Sequence, residues 1–426
     1  MRSMTRRRLA ASAVGVALVA GAAMIALPYV HGLSFIVRIA DLGGTVRRVA
    51  NFDTTAVRTR EVGIPLPDGP LRARIYELAG RVRRIALLVS GLHPSGIEEP
   101  RLVRLARELS ASGITVVTPD IADLSQLAIT PAITDAIEQS ASWLASQQAF
   151  APDGLIGMIG VSFSGGLSVV AAGRPSLRGR VAYVLSVGGH DDLPRVLRYL
   201  CTGVEPPPPG SESALNRVRL KTDSTAAIRL EPDTAAGAAT SAAGDVASGW
   251  APLPHDHGVA VILLGVADRL VPPAQVGSLK AAVRRFLQAS AWDRDQTEKA
   301  AQELAALRTL AKSLPEPSAT LLGYVNDRDI AHLGARLVPQ LGFYADSPAL
   351  SAAKSPKPSA PVFLLHGTAD NVIPAAESVH LAAALRSGTR VRVLLSGLIP
   401  HADADGSPRV AEVMELASFW GDLLGR

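Results

Sequence analysis

The sequence contains a single cysteine, Cys201, among its 426 residues. No internal disulfide bond can form, and one thiol excludes no cellular compartment. The residues around it, Tyr199-Leu200-Cys201-Thr202, do not resemble the strand-to-helix turn that would present a nucleophile. We therefore expect Cys201 to be a packed side chain.

An excess of basic residues is also missing from most of the chain. The formal net charge is +5, but Arg2, Arg6, Arg7 and Arg8 contribute four of these charges, which leaves +1 for the remainder. A basic surface that binds nucleic acid is therefore not expected.

Long apolar runs are absent after the N-terminus, which excludes a protein that spans the membrane several times. The 19 residues from Leu9 to Leu27 carry no charge, and their length suffices to cross a bilayer. The arginines that precede them are expected to stay cytoplasmic, so the rest of the chain would lie on the periplasmic or external side. We predict a basic segment and membrane anchor over residues 1–40.

A cleaved signal peptide and a buried helix of the fold remain alternatives to this anchor. No small-x-small site is followed by a polar segment, because residues 28–39 stay largely apolar. This pattern favours an uncleaved anchor.

From Val62 onward, short apolar runs alternate with amphipathic stretches, and the hydrophobic content of 48% is ample for a large core. This alternation is typical of a mostly parallel sheet covered by helices, an α/β fold. The predicted strands are a pair within Val62–Glu77 interrupted by Pro67-Asp68-Gly69-Pro70, then Ile85–Val89, Ile114–Val117, Leu155–Ile159, Val181–Val187, Val362–Leu365 and Val391–Leu395. Helical spacing of apolar residues predicts helices that contain Leu102–Leu109, Ile133–Leu144 and Val413–Leu423.

This rhythm stops at Glu205, where four prolines open a segment rich in Ala, Ser, Gly and Asp that extends to about Trp250. Such a composition buries little apolar surface. A helical region with Leu304, Leu307 and Leu310 at helical spacing follows it. We predict a core in two parts, residues 60–204 and 356–426, separated by a cap insertion over residues 205–355.

The strongest motif is Gly160-Val161-Ser162-Phe163-Ser164-Gly165-Gly166, between a predicted strand and a helix expected to begin near Leu167. A serine on such a tight turn needs small neighbours, because strand and helix approach closely there. Ser162 is therefore the candidate nucleophile. Ser164, which occupies the second glycine position of the usual G-x-S-x-G pattern, is the rival. A glycine-rich connection without chemistry is the plain alternative, and the lysine of a phosphate-binding loop is absent.

A serine nucleophile needs a base and a carboxylate that orients the base. Asp370 follows the predicted strand Val362–Leu365, and His401 follows the last predicted strand. The order Ser, Asp, His is the order of the α/β-hydrolase triad. Other possible acids are Asp268, in a segment that resembles the one around Asp370, and the pair Asp191 and Asp192.

The loop Ser90-Gly91-Leu92-His93 follows an earlier predicted strand. The backbone N–H groups of Leu92 and Phe163 are the candidate donors to an oxyanion. His93 would contact the substrate or cap the loop, and the sequence favours neither. Asp403 and Asp405 near His401 would suit a metal site, but such acids in a glycine-containing loop are more often solvated, so no metal is predicted.

Three features resemble the α/β-hydrolase superfamily, in particular its dienelactone-hydrolase-like and esterase or lipase branches. They are the tight turn around Ser162, called the elbow below, the segment Leu364–Pro374 and His401. The resemblance covers residues 62–203 and 361–425. It implies hydrolysis of a small-molecule ester or a related acyl bond, without a cofactor. A peptidase, a thioesterase, an acyltransferase and a non-catalytic binding protein of the same fold remain open alternatives.

Overall fold

The computed structural model describes residues 26–52, 54–78, 84–204, 256–292, 296–345, 347–399 and 409–425. The chain folds as two compact units. The first unit comprises residues 1–190, 347–368 and 385–426, and the second comprises residues 191–346 and 369–384. The first unit contains the whole sheet, and the described part of the second unit is helical. The predicted boundaries at residues 60, 205 and 356 stay predictions.

The sheet of the first unit has eight strands in the order β1-β2-β4-β3-β5-β6-β7-β8. The strand β2 is antiparallel to both of its neighbours, and all other pairs are parallel. The strands are β1 (Val57–Leu66), β2 (Gly69–Leu78), β3 (Ile85–Val89), β4 (Thr115–Pro119), β5 (Ile156–Val161), β6 (Val181–Val187), β7 (Val362–Gly367) and β8 (Val391–Ser396). The prediction of a mostly parallel sheet is confirmed.

The central strands are apolar along their whole length because both faces of the sheet are covered. Every residue of β3, β4 and β7 is buried, as expected for parallel strands between two helical layers. The sequence predicted β3 and β6 with their observed bounds. It ended β5 two residues early, since Gly160 and Val161 lead into a turn rather than an apolar run.

Helices flank this sheet, as predicted. The helices of the first unit are α1 (residues 26–39), α2 (Gly44–Ala50), α3 (Pro100–Ala111), α4 (Ala122–Ser125), α5 (Pro131–Ser146), α6 (Phe163–Ala172) and, last in the chain, α15 (Val410–Leu424). Proline begins α3, where the Glu99 side chain accepts a hydrogen bond from Leu102 N at 2.7 Å. A proline at the first helical position and an acceptor just before it satisfy the free N–H groups of a first turn.

The helix α1 packs into the core of the first unit. Phe35 is fully buried, and its ring centroid lies 4.4 Å from that of Trp420 in α15. Arg38, also buried, donates to Glu108 Oε2 at 2.9 Å and to Ala50 O at 2.8 Å. The helix α1 therefore belongs to the fold from Gly32 onward, where its buried residues begin.

Residues 9–25 of the predicted transmembrane helix lie outside the described residues. Within the described ranges, no helix is long and apolar enough to cross a membrane. The structure describes α1 from position 26, so only the last two residues of the predicted span Leu9 to Leu27 are described.

The second unit is built from helices that pack on one another through small residues. The helices are α7 (Leu193–Thr202), α8 (Asp256–Leu270), α9 (Pro273–Trp292), α10 (Thr297–Ala311), α11 (Ser318–Asn326), α12 (Ile330–Leu337), α13 (Gly342–Ala345) and α14 (Ala376–Leu385). A Cβ atom at Gly334 would lie 2.0 Å from Cys201 O, and one at Gly258 would lie 2.4 Å from the Leu200 side chain. Glycine is required at Gly334 because two backbones approach closely there, and a side chain at Gly258 would displace Leu200.

Candidate active site

Ser162 lies on the turn that joins β5 to α6, with φ of 56° and ψ of −131°. Residues other than glycine rarely adopt a positive φ, and this backbone conformation costs about 1–3 kcal/mol. The turn is fixed by Ser162 N, which donates to Val187 O at 2.7 Å, and by Gly165 N, which donates to Ser162 O at 2.8 Å. Ser162 itself is half-buried. The predicted helix near Leu167 begins earlier, at Phe163, because the turn occupies only one residue.

The glycines around Ser162 are required by close backbone contacts. A Cβ atom at Gly160 would lie 2.3 Å from Ser164 O, and one at Gly165 would lie 2.6 Å from Ser186 Oγ. At Gly166 it would lie 2.4 Å from His190 O. Since Cβ atoms do not approach other atoms so closely, only glycine fits these three positions.

Ser164, the rival nucleophile, is fully buried and bound to the backbone. Its Oγ lies 3.1 Å from Val89 O and 2.9 Å from Val161 O, and it accepts from Val161 N at 3.2 Å. The hydroxyl therefore connects the elbow to the end of β3 and has no access to a substrate. This contact explains why serine replaces the second glycine of the usual motif.

The loop after β3 lies directly beside Ser162. A Cβ atom at Gly91 would lie 3.2 Å from Ser162 Cβ and 3.7 Å from Ser162 Oγ. The next peptide contributes the N–H of Leu92, and Phe163 N–H lies in the first turn of α6, where N–H groups have no partner inside the helix. Both candidate oxyanion donors are therefore one residue away from the contact between Gly91 and Ser162.

His93 caps its own loop. Its Nδ1 accepts a hydrogen bond from Ser95 N at 3.2 Å, and its backbone N–H donates to Leu124 O at 3.2 Å. Burial lowers the pKa of His93 below its ordinary value. Of the two roles that the sequence left open, the geometry favours capping.

Asp370 follows the end of β7 by three residues and is buried. Its Oδ1 accepts hydrogen bonds from Val372 N at 2.9 Å and from Ile373 N at 3.0 Å. These two donors hold the carboxylate in one orientation. A carboxylate that is buried and oriented by backbone amides suits the acid of a triad.

His401 lies outside the described residues, which end at Ile399 and resume at Arg409. The described chain after β8 passes against the end of β7, where a Cβ atom at Gly367 would lie 2.2 Å from Ile399 O. The strands β3, β5, β7 and β8 are parallel, so the loops that follow them leave the same edge of the sheet. Ser162, Gly91, Thr368 and Ile399 all belong to this edge.

The alternative acids have other surroundings. Asp268 lies on the exposed side of α8, so its segment does not follow a strand as the segment of Asp370 does. The apolar run Leu263–Val266 is compatible with a strand or a buried helix. In the structure it forms part of the buried face of α8. Asp191 is buried, and its carboxylate pairs with Arg195 at 3.4 Å.

A buried ionic cluster in the second unit was not predicted. Glu377, in the first turn of α14, is fully buried and accepts from Arg195 Nε at 2.5 Å. It also accepts from Asp191 N at 2.9 Å and Asp192 N at 3.0 Å, just before α7. Burial opposes the charge, but Glu377 holds the pKa of Arg195 above its ordinary value. No sequence signal connects Arg195 with Glu377, because they are far apart in the chain.

His190 is a second residue that the sequence did not predict near the elbow. Its ring is fully buried and stacks on Phe163 with a centroid distance of 5.1 Å. His190 Nε2 lies 2.8 Å from Leu350 O, and a carbonyl oxygen only accepts, so this nitrogen carries the proton. His190 thus supports the side chain of the candidate oxyanion residue.

The described residues offer neither a reactive cysteine nor a metal site. Burial raises the pKa of the Cys201 thiol to about 12, as expected for a packed side chain rather than a nucleophile. In the described ranges, no group of three or more His, Cys, Asp or Glu residues is arranged to hold a metal ion. Asp403 and Asp405 lie outside those ranges.

Comparison with known proteins gives structural likeness only. No protein-family model matches the chain, and no curated protein matches it. Solved structures similar to it include a dienelactone hydrolase from Anabaena variabilis, with 24% identity, a TM-score of 0.27, and coverage of 32% of this chain and 64% of that one. A Pyrobaculum calidifontis esterase has 22% identity and a TM-score of 0.28, with coverage of 40% and 58%.

Brefeldin A esterase, a bacterial homologue of human hormone sensitive lipase, has 13% identity and a TM-score of 0.42, with coverage of 94% of this chain and 84% of that one. The chain spans less than two thirds of the length of the first two enzymes. All three enzymes are α/β-hydrolases. Because every one of these TM-scores is below 0.5, the sheet order and the elbow carry the fold assignment, and both fit the α/β-hydrolase fold.

Proposed function

We propose that this chain is a serine hydrolase of the α/β-hydrolase superfamily that cleaves carboxylic esters of small molecules. The observation that carries the proposal is the conformation of Ser162, a half-buried serine held at positive φ with the Gly91-Leu92 loop against it. Strain of this kind persists where the surrounding structure enforces it, and it concentrates at functional sites. Ser162 is therefore assigned as the nucleophile, His401 as the base and Asp370 as the acid.

In this mechanism, His401 removes the proton of Ser162 Oγ as the oxygen attacks the ester carbonyl. The N–H groups of Leu92 and Phe163 donate to the oxyanion of the tetrahedral intermediate. His401 then protonates the leaving alcohol, and an acyl group remains on Ser162. Water, deprotonated by His401, releases the acid, while Asp370 keeps the imidazole in the required tautomer. No cofactor or metal takes part in these steps.

Peptidase, thioesterase and acyltransferase activities use the same groups and differ in the leaving group or the final acceptor. They are separated from the esterase by turnover of amide and thioester substrates and by transfer to added alcohols. A non-catalytic binding protein would fail to react with any of these substrates.

Covalent labelling with a fluorophosphonate tests the proposal directly, because the reagent reacts only with an activated serine. Ser162→Ala should lose the label and all hydrolysis of p-nitrophenyl esters. Ser164→Ala is the matched control and should keep the label, since Ser164 is buried and bonded to the backbone. A label that depends on Ser164 and survives Ser162→Ala would refute the assignment.

The membrane anchor is also part of the proposal. Leu9 to Leu27 would cross the bilayer, with the arginines before it in the cytoplasm and the catalytic unit on the periplasmic or external side. Protease added to spheroplasts, whose periplasmic membrane face is accessible, should digest the chain beyond the anchor. Digestion only after the membrane is opened would reverse the orientation.

A further inference from the structure

Exposed apolar side chains are concentrated where the described chain begins. Among the described residues, twelve large apolar side chains are exposed, and seven of them fall between residues 27 and 52. We define the N-terminal apolar patch as five of these, which lie in α1, in α2 and just after α2. These are Leu27, Val30, Val46, Val49 and Phe52, with exposed fractions of 48%, 43%, 54%, 67% and 59%.

Contacts of α1 with Ala50 and Phe52 hold α2 and the residues after it against α1. The ring of Phe52 stacks on that of His31 at a centroid distance of 5.9 Å. Leu27 lies one helical turn before His31, on the same face of α1. Ala50, at the end of α2, faces inward, where its carbonyl accepts from Ser34 and Arg38. Val46 and Val49, one turn apart in α2, stay exposed.

Leu27 belongs both to this patch and to the end of the proposed transmembrane span. Four residues of helix separate Leu27 from His31, a rise of about 6 Å. The headgroup layer on one side of a bilayer is of similar thickness, about 5–8 Å. A helix that leaves the hydrocarbon near Leu27 therefore brings His31 and Phe52 to the level of the headgroups.

We propose that the N-terminal apolar patch docks in the headgroup layer of the same bilayer that residues 9–27 cross. This inference rests on the proposed anchor and adds a second, lipid-facing contact from α2. Valine and phenylalanine side chains gain from leaving water, and the exposed Arg48 between Val46 and Val49 suits lipid phosphates. The first compact unit, which contains Ser162, would then lie directly on the membrane.

Single introduced cysteines test this docking in the full chain. The native Cys201 is buried with a raised thiol pKa, so a probe reacts selectively with the new cysteine. The variants Val49→Cys and Phe52→Cys, labelled with a fluorophore, are reconstituted in phosphatidylcholine vesicles. Leu155→Cys is the control, since Leu155 is exposed at 38% but lies outside the patch.

The probes at 49 and 52 should be quenched by a nitroxide carried on the lipid, and their quenching by aqueous iodide should be several-fold weaker than at 155. Equal iodide quenching at all three positions in vesicle-bound protein would overturn the docking but leave the anchor intact. Failure of the protein to float with the vesicles would overturn both. Hydrolysis of a soluble ester by each variant is measured separately and shows that the fold and the hydrolase activity are retained.

Discussion

At the scale of single residues, the difference between Ser162 and Ser164 follows from backbone geometry. The two serines are separated by one residue, yet one is half-buried at positive φ and the other is enclosed with three backbone contacts. A hydroxyl that is enclosed in the core and donates to a backbone carbonyl oxygen there cannot also attack a substrate. The sequence alone ranks these serines by pattern, whereas the structure separates them by accessibility.

The acid gives a prediction at the same scale. Asp370→Asn should lower kcat by about 10⁴-fold, because an amide no longer holds the base in the required tautomer. Asp268→Asn should retain most activity, since Asp268 is exposed on a helix. Steady-state kinetics with a p-nitrophenyl ester compare the two variants. A larger loss in Asp268→Asn would transfer the role of the acid to that residue.

At the scale of secondary-structure elements, the pair Arg195 and Glu377 connects the first turn of α14 with α7. Glu377→Gln should destabilise the protein by about 3 kcal/mol, because it removes the fully buried carboxylate that accepts from Arg195 and leaves the longer contact with Asp191 to balance that charge. Glu303→Gln is the matched control. It removes the same charge from the exposed pair with Arg285 and should cost less than about 1 kcal/mol. Urea unfolding midpoints measure both; equal losses would mean that the buried pair contributes no more than the surface pair.

His380, in α14, should make the stability of the protein depend on pH. Burial, and then the charge of Arg195, lowers the pKa of His380 from 6.5 to about 4. The unfolded chain therefore binds a proton at this histidine between about pH 6.5 and pH 4 that the folded chain does not bind. The free energy of unfolding is therefore not reduced by His380 above about pH 6.5, and it decreases as the pH falls from 6.5 towards 4.

His380→Gln should remove this dependence on pH. The variant should lose less stability than the original chain when urea unfolding is followed from pH 7 to pH 4. Identical pH dependences of the two proteins would show that His380 binds its proton equally well in the folded state.

At the scale of the whole molecule, the N-terminal helix is a structural part of the first unit. Phe35→Ala should destabilise the full chain by about 3–5 kcal/mol, because Phe35 is fully buried against Trp420. Val30→Ala, a neighbouring but exposed position, should change the stability by no more than about 0.5 kcal/mol.

Urea unfolding in detergent compares these two variants, and the result bears on processing. If Phe35→Ala is as stable as Val30→Ala, α1 is dispensable and cleavage after it would be tolerated. If it is strongly destabilised, cleavage within or after α1 would damage the fold, which leaves an uncleaved anchor or cleavage before α1.

The sequence by itself determined the strands, the helices α3, α5, α6 and α15 and the turn at Ser162, because these depend on local patterns. Apolar runs with fixed spacing predicted β3 and β6 with their observed bounds, and small residues around Ser162 predicted a tight turn. The same reasoning left Leu263–Val266 open, where an apolar run is compatible with both a strand and a buried helix, and the structure shows a helix.

Only the tertiary structure decided which residues meet across long separations. The pairing of Arg195 with Glu377, the stacking of His190 on Phe163 and the enclosure of Ser164 depend on how distant elements pack. The burial of α1 likewise depends on its partner α15 at the opposite end of the chain. A local pattern specifies the periodicity of an element, but the free energy of burial selects the partner that covers it.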